Sequence, residues 1–448
     1  MMVNSQTQAV VGWKRRWAPV AWLLVGFTLL VLPGYARADD DFERPPINYS
    51  KAKPDNPISR LQAKLDASKL QLAFHKDHGY LPAVLKALQV PESSQTLVFS
   101  KTSLQRARIS PKTPRAVYFN DDMYVGFCQG GQVLEINAVD PQLGAVFYTL
   151  DQQASDRPQF VRQIDACILC HASSQTKNVP GHILRSVYPD RSGEAILSLG
   201  SVRIDQATPI DRRWGGWYVT GTHGKQTHLG NLIVRNRNDR EAIANNPDGQ
   251  NIADLKTFFD ASAYPTPHSD IVALMVLEHQ AEAHNLLTRA SIQTRLALHD
   301  LALLNKELGR APDYQSETTE RRIKSVGEPL VRYLLFSGEA KLTDRIQGTS
   351  TFAADFAKQG PRDSKGRSLR EFDLERRLFK YPCSFLIYSE AFAQLPTVMK
   401  EYVYQRLHDV LTDRDYSAGF GHLNAPDRQA MLEILRDTKK DLPAYWRK

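Results

Sequence analysis

TLVFS (96–100), AVYF (116–119), MYVGFC (123–128), VLEINAV (133–139) and AVFYTL (145–150) are five short runs rich in β-branched and aromatic residues. Runs of this length and composition read as strands, so residues 96 to 150 predict one small antiparallel sheet. Upstream, Ile58 to Leu72 and Leu81 to Leu88 carry apolar residues at helical spacing. Past about residue 250 the pattern is helical almost to the end. The fold class expected is therefore α+β, with a small sheet first and a mainly α-helical C-terminal domain last.

Just beyond the strands stands DACILCHASS (165–174), in which Cys167, Cys170 and His171 form C-x-x-C-H. Two thiols three positions apart can each add to one vinyl group of a haem, and the adjacent imidazole can reach the iron. The same cysteines also suit a redox-active dithiol or half of a zinc site, which are the commoner readings in the cytosol. Compartment therefore decides between them.

The N-terminus speaks to compartment. Lys14, Arg15 and Arg16 precede an apolar run from Trp17 to Leu32, Pro33-Gly34 breaks it, and ARADD (36–40) offers a small-x-small cut after Ala38. That order is a secretory signal peptide over residues 1–38 and implies a periplasmic protein with no stable membrane insertion after cleavage. The competing reading keeps the run as an anchor, since it is only just short of a minimal span.

With export, a bare C-x-x-C would oxidise and a zinc site would want two further close ligands, whereas Cys128 and Cys383 are single and distant. These two are candidates for a disulfide joining the sheet region to the C-terminal helices. The composition, 42% hydrophobic and 24% charged, is that of a globular enzyme or carrier. Residues 1–38 hold four basic and no acidic side chains, leaving 53 basic against 49 acidic groups, too even a balance for nucleic acid.

Punctuation divides the rest. The polar, Pro-rich stretch 39–56 reads as a surface lead-in, 57–150 as an N-terminal α+β region, 151–245 as a haem-binding segment and 246–448 as the helical domain. NVPGHILRSVYPDRSGEAILSLGSVRID (178–205) and RRWGGWYVTGTHGKQTHLGNLIV (212–234) supply glycine, aromatics and arginine, as a pocket with two propionates needs. Asp270 to Leu308 reads as a long amphipathic helix and Glu317 to Phe336 as its partner, disturbed near Gly327 and Pro329. Leu374–Arg377, Phe385–Phe392, Thr397–Leu411 and Pro426–Asp437 suggest further helices.

The iron's sixth position governs function, because a strong second ligand makes a carrier and an open site permits oxygen or peroxide chemistry. The first Met after His171 is Met275, about a hundred positions on, so a His ligand or a vacancy is favoured over a near-sequence Met. His182, His223, His228, His268, His279 and His284 are the histidines in reach. His223, flanked by glycines, is the first choice of sixth ligand, and His228 is a neighbour suited to that role or to distal acid/base work. Met275 and His279 share a helix face, while His279 and His284 diverge by roughly 140 degrees and make a poor clamp. Glu278 and Glu282 with these histidines hint at a second metal, against the commoner reading as solvated carboxylates. Arg185, Arg212 and Arg213 are candidate propionate partners, and Trp214, Trp217 and Tyr218 candidates to line the ring.

CILCH behind such a leader resembles the attachment site of single-haem c-type cytochromes. LVFSKTSLQRARISPKTPRAVYFNDDMYVGF (97–127) and RWGGWYVTGTHGKQTHLGN (213–231) resemble a family of large exported bacterial proteins with one such motif, over most of the chain after the leader. The resemblance implies one covalent haem c on Cys167 and Cys170, with His171 axial to the iron, and carries no reaction with it. The chain departs from small cytochromes in lacking a Met at their distance and in having more than two hundred residues past the haem segment. The expected role is periplasmic one-electron transfer with a redox partner protein. A haem enzyme, peroxidase-like or oxygen-using, and a haem-based sensor or structural haem domain are the alternatives.

Overall fold

Each of the five runs becomes a strand, and two later strands join them. In the computed structural model, which describes residues 41–447, the helices α1 (Pro57–Asp66) and α2 (Leu81–Ala87) lead into β1 (Thr96–Val98), β2 (Arg115–Phe119), β3 (Met123–Phe127), β4 (Val133–Asp140) and β5 (Gly144–Asp151). These are followed by β6 (Phe160–Gln163), α3 (Ile168–His171), β7 (Arg185–Val187), β8 (Ser201–Arg203), β9 (Trp217–Tyr218) and α4 (Arg240–Asn245). The rest is α5 (Ile271–Glu307), α6 (Glu317–Leu334), α7 (Phe352–Lys358), α8 (Glu390–Ala393), α9 (Thr397–Leu411) and α10 (Ala425–Thr438). The strands form an antiparallel seven-stranded sheet in the order β6-β5-β4-β3-β2-β1-β9, and β7 and β8 form a separate pair. The architecture is α+β, as the periodicity predicts.

Strand alternation gives the large sheet two buried faces. Tyr118, Val125, Ile136 and Tyr148 lie abreast in register and pack with Ile58, Leu61, Val84 and Leu85 of α1 and α2. The opposite face carries Phe119, Tyr124, Asn137 and Phe147 in register, and Phe119 and Tyr124 join the core built around α5. β9, from the expected haem segment, pairs with β1, so residues 57–150 and 151–245 share one sheet, and residues 41–447 belong to one compact unit.

α5 is the axis of the helical half. Asp270 caps it by accepting from Val272 N and Ala273 N, and it runs 37 residues, about 55 Å at 1.5 Å per residue. From Ile271 to Thr288 every residue is buried. The amphipathic reading is thus corrected for this half, because sheet and helices enclose it on all sides. α6 also runs unbroken through Pro329. Gly327 there serves packing, since a Cβ would lie 2.6 Å from the Tyr402 ring of α9.

Three further expectations are corrected. Residues 41–56 do not trail over the surface: Phe42, Ile47 and Tyr49 are buried, and the Tyr49 hydroxyl donates to the Ala145 carbonyl at 2.8 Å. Three apolar side chains near the sheet outweigh the Pro-rich composition. Leu374–Arg377 is a turn, because the Asp373 carboxylate accepts from Glu375 N and Arg376 N at 3.0 and 2.8 Å and Leu374 is left-handed. Cys128 and Cys383 are separate buried thiols, burial pushing each up to about 12. The signal peptide expected over 1–38 and its cut after Ala38 lie outside the described residues. Among the described residues no helix is long and apolar enough to cross a membrane.

Candidate functional site

Cys167, Cys170 and His171 fall on one helical turn. Cys170 N and His171 N both donate to the Cys167 carbonyl, at 3.3 and 3.0 Å, so positions i, i+3 and i+4 share a face. The Ser173 hydroxyl then donates to the Cys170 carbonyl at 2.8 Å and the chain leaves the helix. Lys177 and Asn178, both left-handed, turn it back toward the sheet.

The returning loop fixes the imidazole. Gly181 N donates to the His171 carbonyl at 2.8 Å, and His171 Nδ1 donates to the Gly181 carbonyl at 2.9 Å. Pro180, the preceding residue, is held from the other side by Ala145 N of β5 at 3.0 Å. With the proton on Nδ1, Nε2 keeps its lone pair. The ring packs on Phe147 at 4.7 Å between centroids. Burial holds its pKa below the usual range, with the Gly181 bond opposing, so the imidazole is neutral at pH 7.

The two thiols differ. Cys170 is exposed and Cys167 half-buried, and neither is bridged. Burial pushes Cys167 up to about 11, with Glu135 adding and Arg115 opposing. Among the described residues no group of three or more His, Cys, Asp or Glu side chains is arranged to hold a metal ion without a macrocycle. A haem brings four nitrogen donors of its own, and the set of two free thiols and one oriented imidazole on a single turn fits it.

The loop is anchored from behind by α5. Asn285 accepts from His182 N at 2.7 Å and donates to the His182 carbonyl at 2.9 Å. Glu282 takes Lys177 Nζ at 2.8 Å and Arg203 on its other oxygen. A Cβ on Gly181 would overlap the Asn285 amide, so only glycine lets the loop lie this close. Beside it His182 contacts Asn137 at 2.9 Å and the Tyr124 ring at 4.4 Å between centroids, and the Tyr124 hydroxyl meets His284 Nδ1 at 2.9 Å.

The other candidates lie in different company. His223 is fully buried, and its Nε2 accepts from Asn251 N at 3.0 Å. Its ring neighbour is His228, 4.5 Å away, which packs edge-on to Trp214. The glycines beside His223 serve packing of their own: a Cβ on Gly221 would press on Ile271, and one on Gly224 on Asp344. Arg213 is buried and spent on Glu278, the Thr208 carbonyl and the Gln206 carbonyl. Arg185 is exposed and donates to the Ser201 hydroxyl, and Arg212 is exposed. Trp217 Nε1 donates to the Arg185 carbonyl at 2.9 Å, and the Tyr218 hydroxyl to the Pro111 carbonyl at 2.6 Å. His279 is held between Gln206 and Ser384. Glu278 and Glu282 are buried rather than solvated, each matched to its own arginine, not to a shared metal.

Phe147, Gly181, Asn285, Arg115 and Glu135 escaped the sequence reading. Gly181 had a signal, a Pro-Gly turn ten residues after His171, and so did Asn285, an amide inside an apolar helix. Comparison of the chain with protein-family models, with curated proteins and with solved structures returns no match.

Proposed function

We propose that this chain is an exported c-type haem protein whose role is one-electron transfer with a redox partner protein in the periplasm. Cys167 and Cys170 would hold one haem c through thioethers, and His171 Nε2 would ligate its iron. The observation that carries the reading is the Nδ1–H bond to the Gly181 carbonyl, which presents Nε2 as a lone pair on the same turn as two free thiols. When bound, the haem supplies a one-electron couple. The protein's share is orientation: the Gly181 carbonyl fixes the tautomer, Phe147 the ring and Asn285 the loop. Exposed Cys170 makes whatever it carries reachable from solvent, as a carrier requires.

The test is haem staining after denaturing electrophoresis of protein made with cytochrome c maturation factors. Wild type should stain and the Cys167→Ala, Cys170→Ala double variant should not. Equal staining, or none in wild type, would refute the proposal.

A haem enzyme with an open sixth position is the second reading. It is favoured by the engagement of His223 Nε2 with Asn251 N, which leaves only the buried Nδ1 of that ring for a metal. Carbon monoxide added to the ferrous protein separates the two, since ready binding means an open site.

A further inference from the structure

Resting on the haem reading, we infer that Arg115 and Glu135, opposed charges paired on the sheet face that carries the His171 ring, each bias the reduction potential of the group held by Cys167, Cys170 and His171, in opposite directions.

Arg115 opens β2 and Glu135 sits in the middle of β4, with β3 between them. Gly126 of β3 lies directly opposite Glu135 in the register, and the Arg115 guanidinium crosses β3 over it to reach Glu135 Oε2 at 2.9 Å. A Cβ on Gly126 would overlap that guanidinium, so the bare glycine is what lets the pair form. Both side chains are largely enclosed, 21% and 14% exposed. Glu135 Oε1 is further held by Gln105 N, Gln105 Nε2 and the Ser103 hydroxyl, at 3.1 to 3.3 Å. Arg115 Nε–H is buried without a partner, leaving one donor for an anionic oxygen such as a propionate.

The register places this pair beside the motif. Glu135 and Asn137 are two apart on one strand and so share a face; Asn137 is opposite Phe147, which carries the His171 ring, and touches His182. A nearby cation favours the ferrous state, which has one positive charge fewer, and a nearby anion favours the ferric state. Pairing makes the two nearly cancel, so each is exposed only when the other is removed.

The experiment is a spectroelectrochemical titration of the holoprotein, with haem content measured on the same samples. Relative to wild type at a fixed poise, Arg115→Gln should move the oxidised-to-reduced ratio about threefold toward oxidised, equivalent to about 30 mV at 59 mV per decade. Glu135→Gln should move it by a similar factor the other way, and the double variant should return to within about twofold of wild type, as should Arg115→Lys, which keeps the charge. Shifts in the same direction, as general loosening of the site would give, or shifts under about 1.5-fold with haem in place, overturn the inference while leaving the haem reading intact. A wild-type protein made with maturation factors and lacking covalent haem overturns both.

Discussion

Asn285→Ala is the sharpest perturbation of the loop that orients His171. The Asn285 side chain makes two buried bonds to one residue, accepting from His182 N at 2.7 Å and donating to its carbonyl at 2.9 Å. Truncation leaves both backbone groups unpaired in a site where Asn285 is 1% exposed. An unsatisfied buried group costs about 1–3 kcal/mol, so the pair costs about 3–4 kcal/mol after partial relaxation, a rise of two to three decades in the unfolded fraction. Gln280→Ala is the control on the same helix. Gln280 is as buried but makes one such bond, to the Asn120 carbonyl at 3.0 Å, so its cost should be about half. The assay is urea denaturation of protein made with cytochrome c maturation factors, followed by far-UV circular dichroism, with the visible spectrum read on the same samples. Asn285→Ala should also disturb the spectrum, because Gly181 precedes the freed residue and carries the His171 bond; Gln280→Ala should not. A loss under about 1 kcal/mol, or equal spectral effects of the two, would refute the anchoring argument.

Acid should unfold the protein steeply. Burial lowers His228, His279 and His284 to about 3 and His182 well below its usual value. The unfolded chain therefore binds protons that the folded one refuses between about pH 6.5 and 3, and stability falls with pH through that window. The three lowered to about 3 alone give up to about 4 kcal/mol per pH unit, read as denaturant midpoint against pH, and a slope below one proton would contradict neutral burial. Gly327→Ala should lower the melting temperature, at a cost of about 1–3 kcal/mol, because a Cβ meets the Tyr402 ring; a gain, as at an open helix site, would exclude the close contact. Glu278→Gln should cost about 3–5 kcal/mol by stranding Arg213, which is 2% exposed, while Glu278→Leu with Arg213→Met should cost clearly less by denaturation.

The five strands were legible from their runs of β-branched and aromatic residues, and the helices at 397–411 and 425–438 from a period that matches their half-buried faces. α5 was legible as a helix and illegible as an environment. Its leading half mixes Glu278, His279, Glu282 and His284 with aliphatic residues, and composition cannot distinguish a charge facing water from a charge facing a buried arginine. The difference was supplied from elsewhere in the chain, by Arg203, Arg213 and Gln206. β9 was missed for a similar reason. Two residues have no period, and Trp217–Tyr218 is a strand only because β1 offers it an edge.

The candidate site divides along the same line. C-x-x-C-H is local chemistry, legible from three residues, and helical spacing alone puts those residues on one face. What the local pattern could not supply was the company His171 keeps. A glycine-flanked histidine was expected to approach it, and the glycines around His223 lie against Ile271 and Asp344. The groups that do lie by His171 come from β4, β5 and α5, at separations of tens to more than a hundred residues, and each is an ordinary residue until the sheet register sets it there. A functional reading built on sequence neighbours of a motif therefore sees the motif's own three residues. It finds the supporting shell only where a turn, such as Pro180-Gly181, brings that shell back within a few residues.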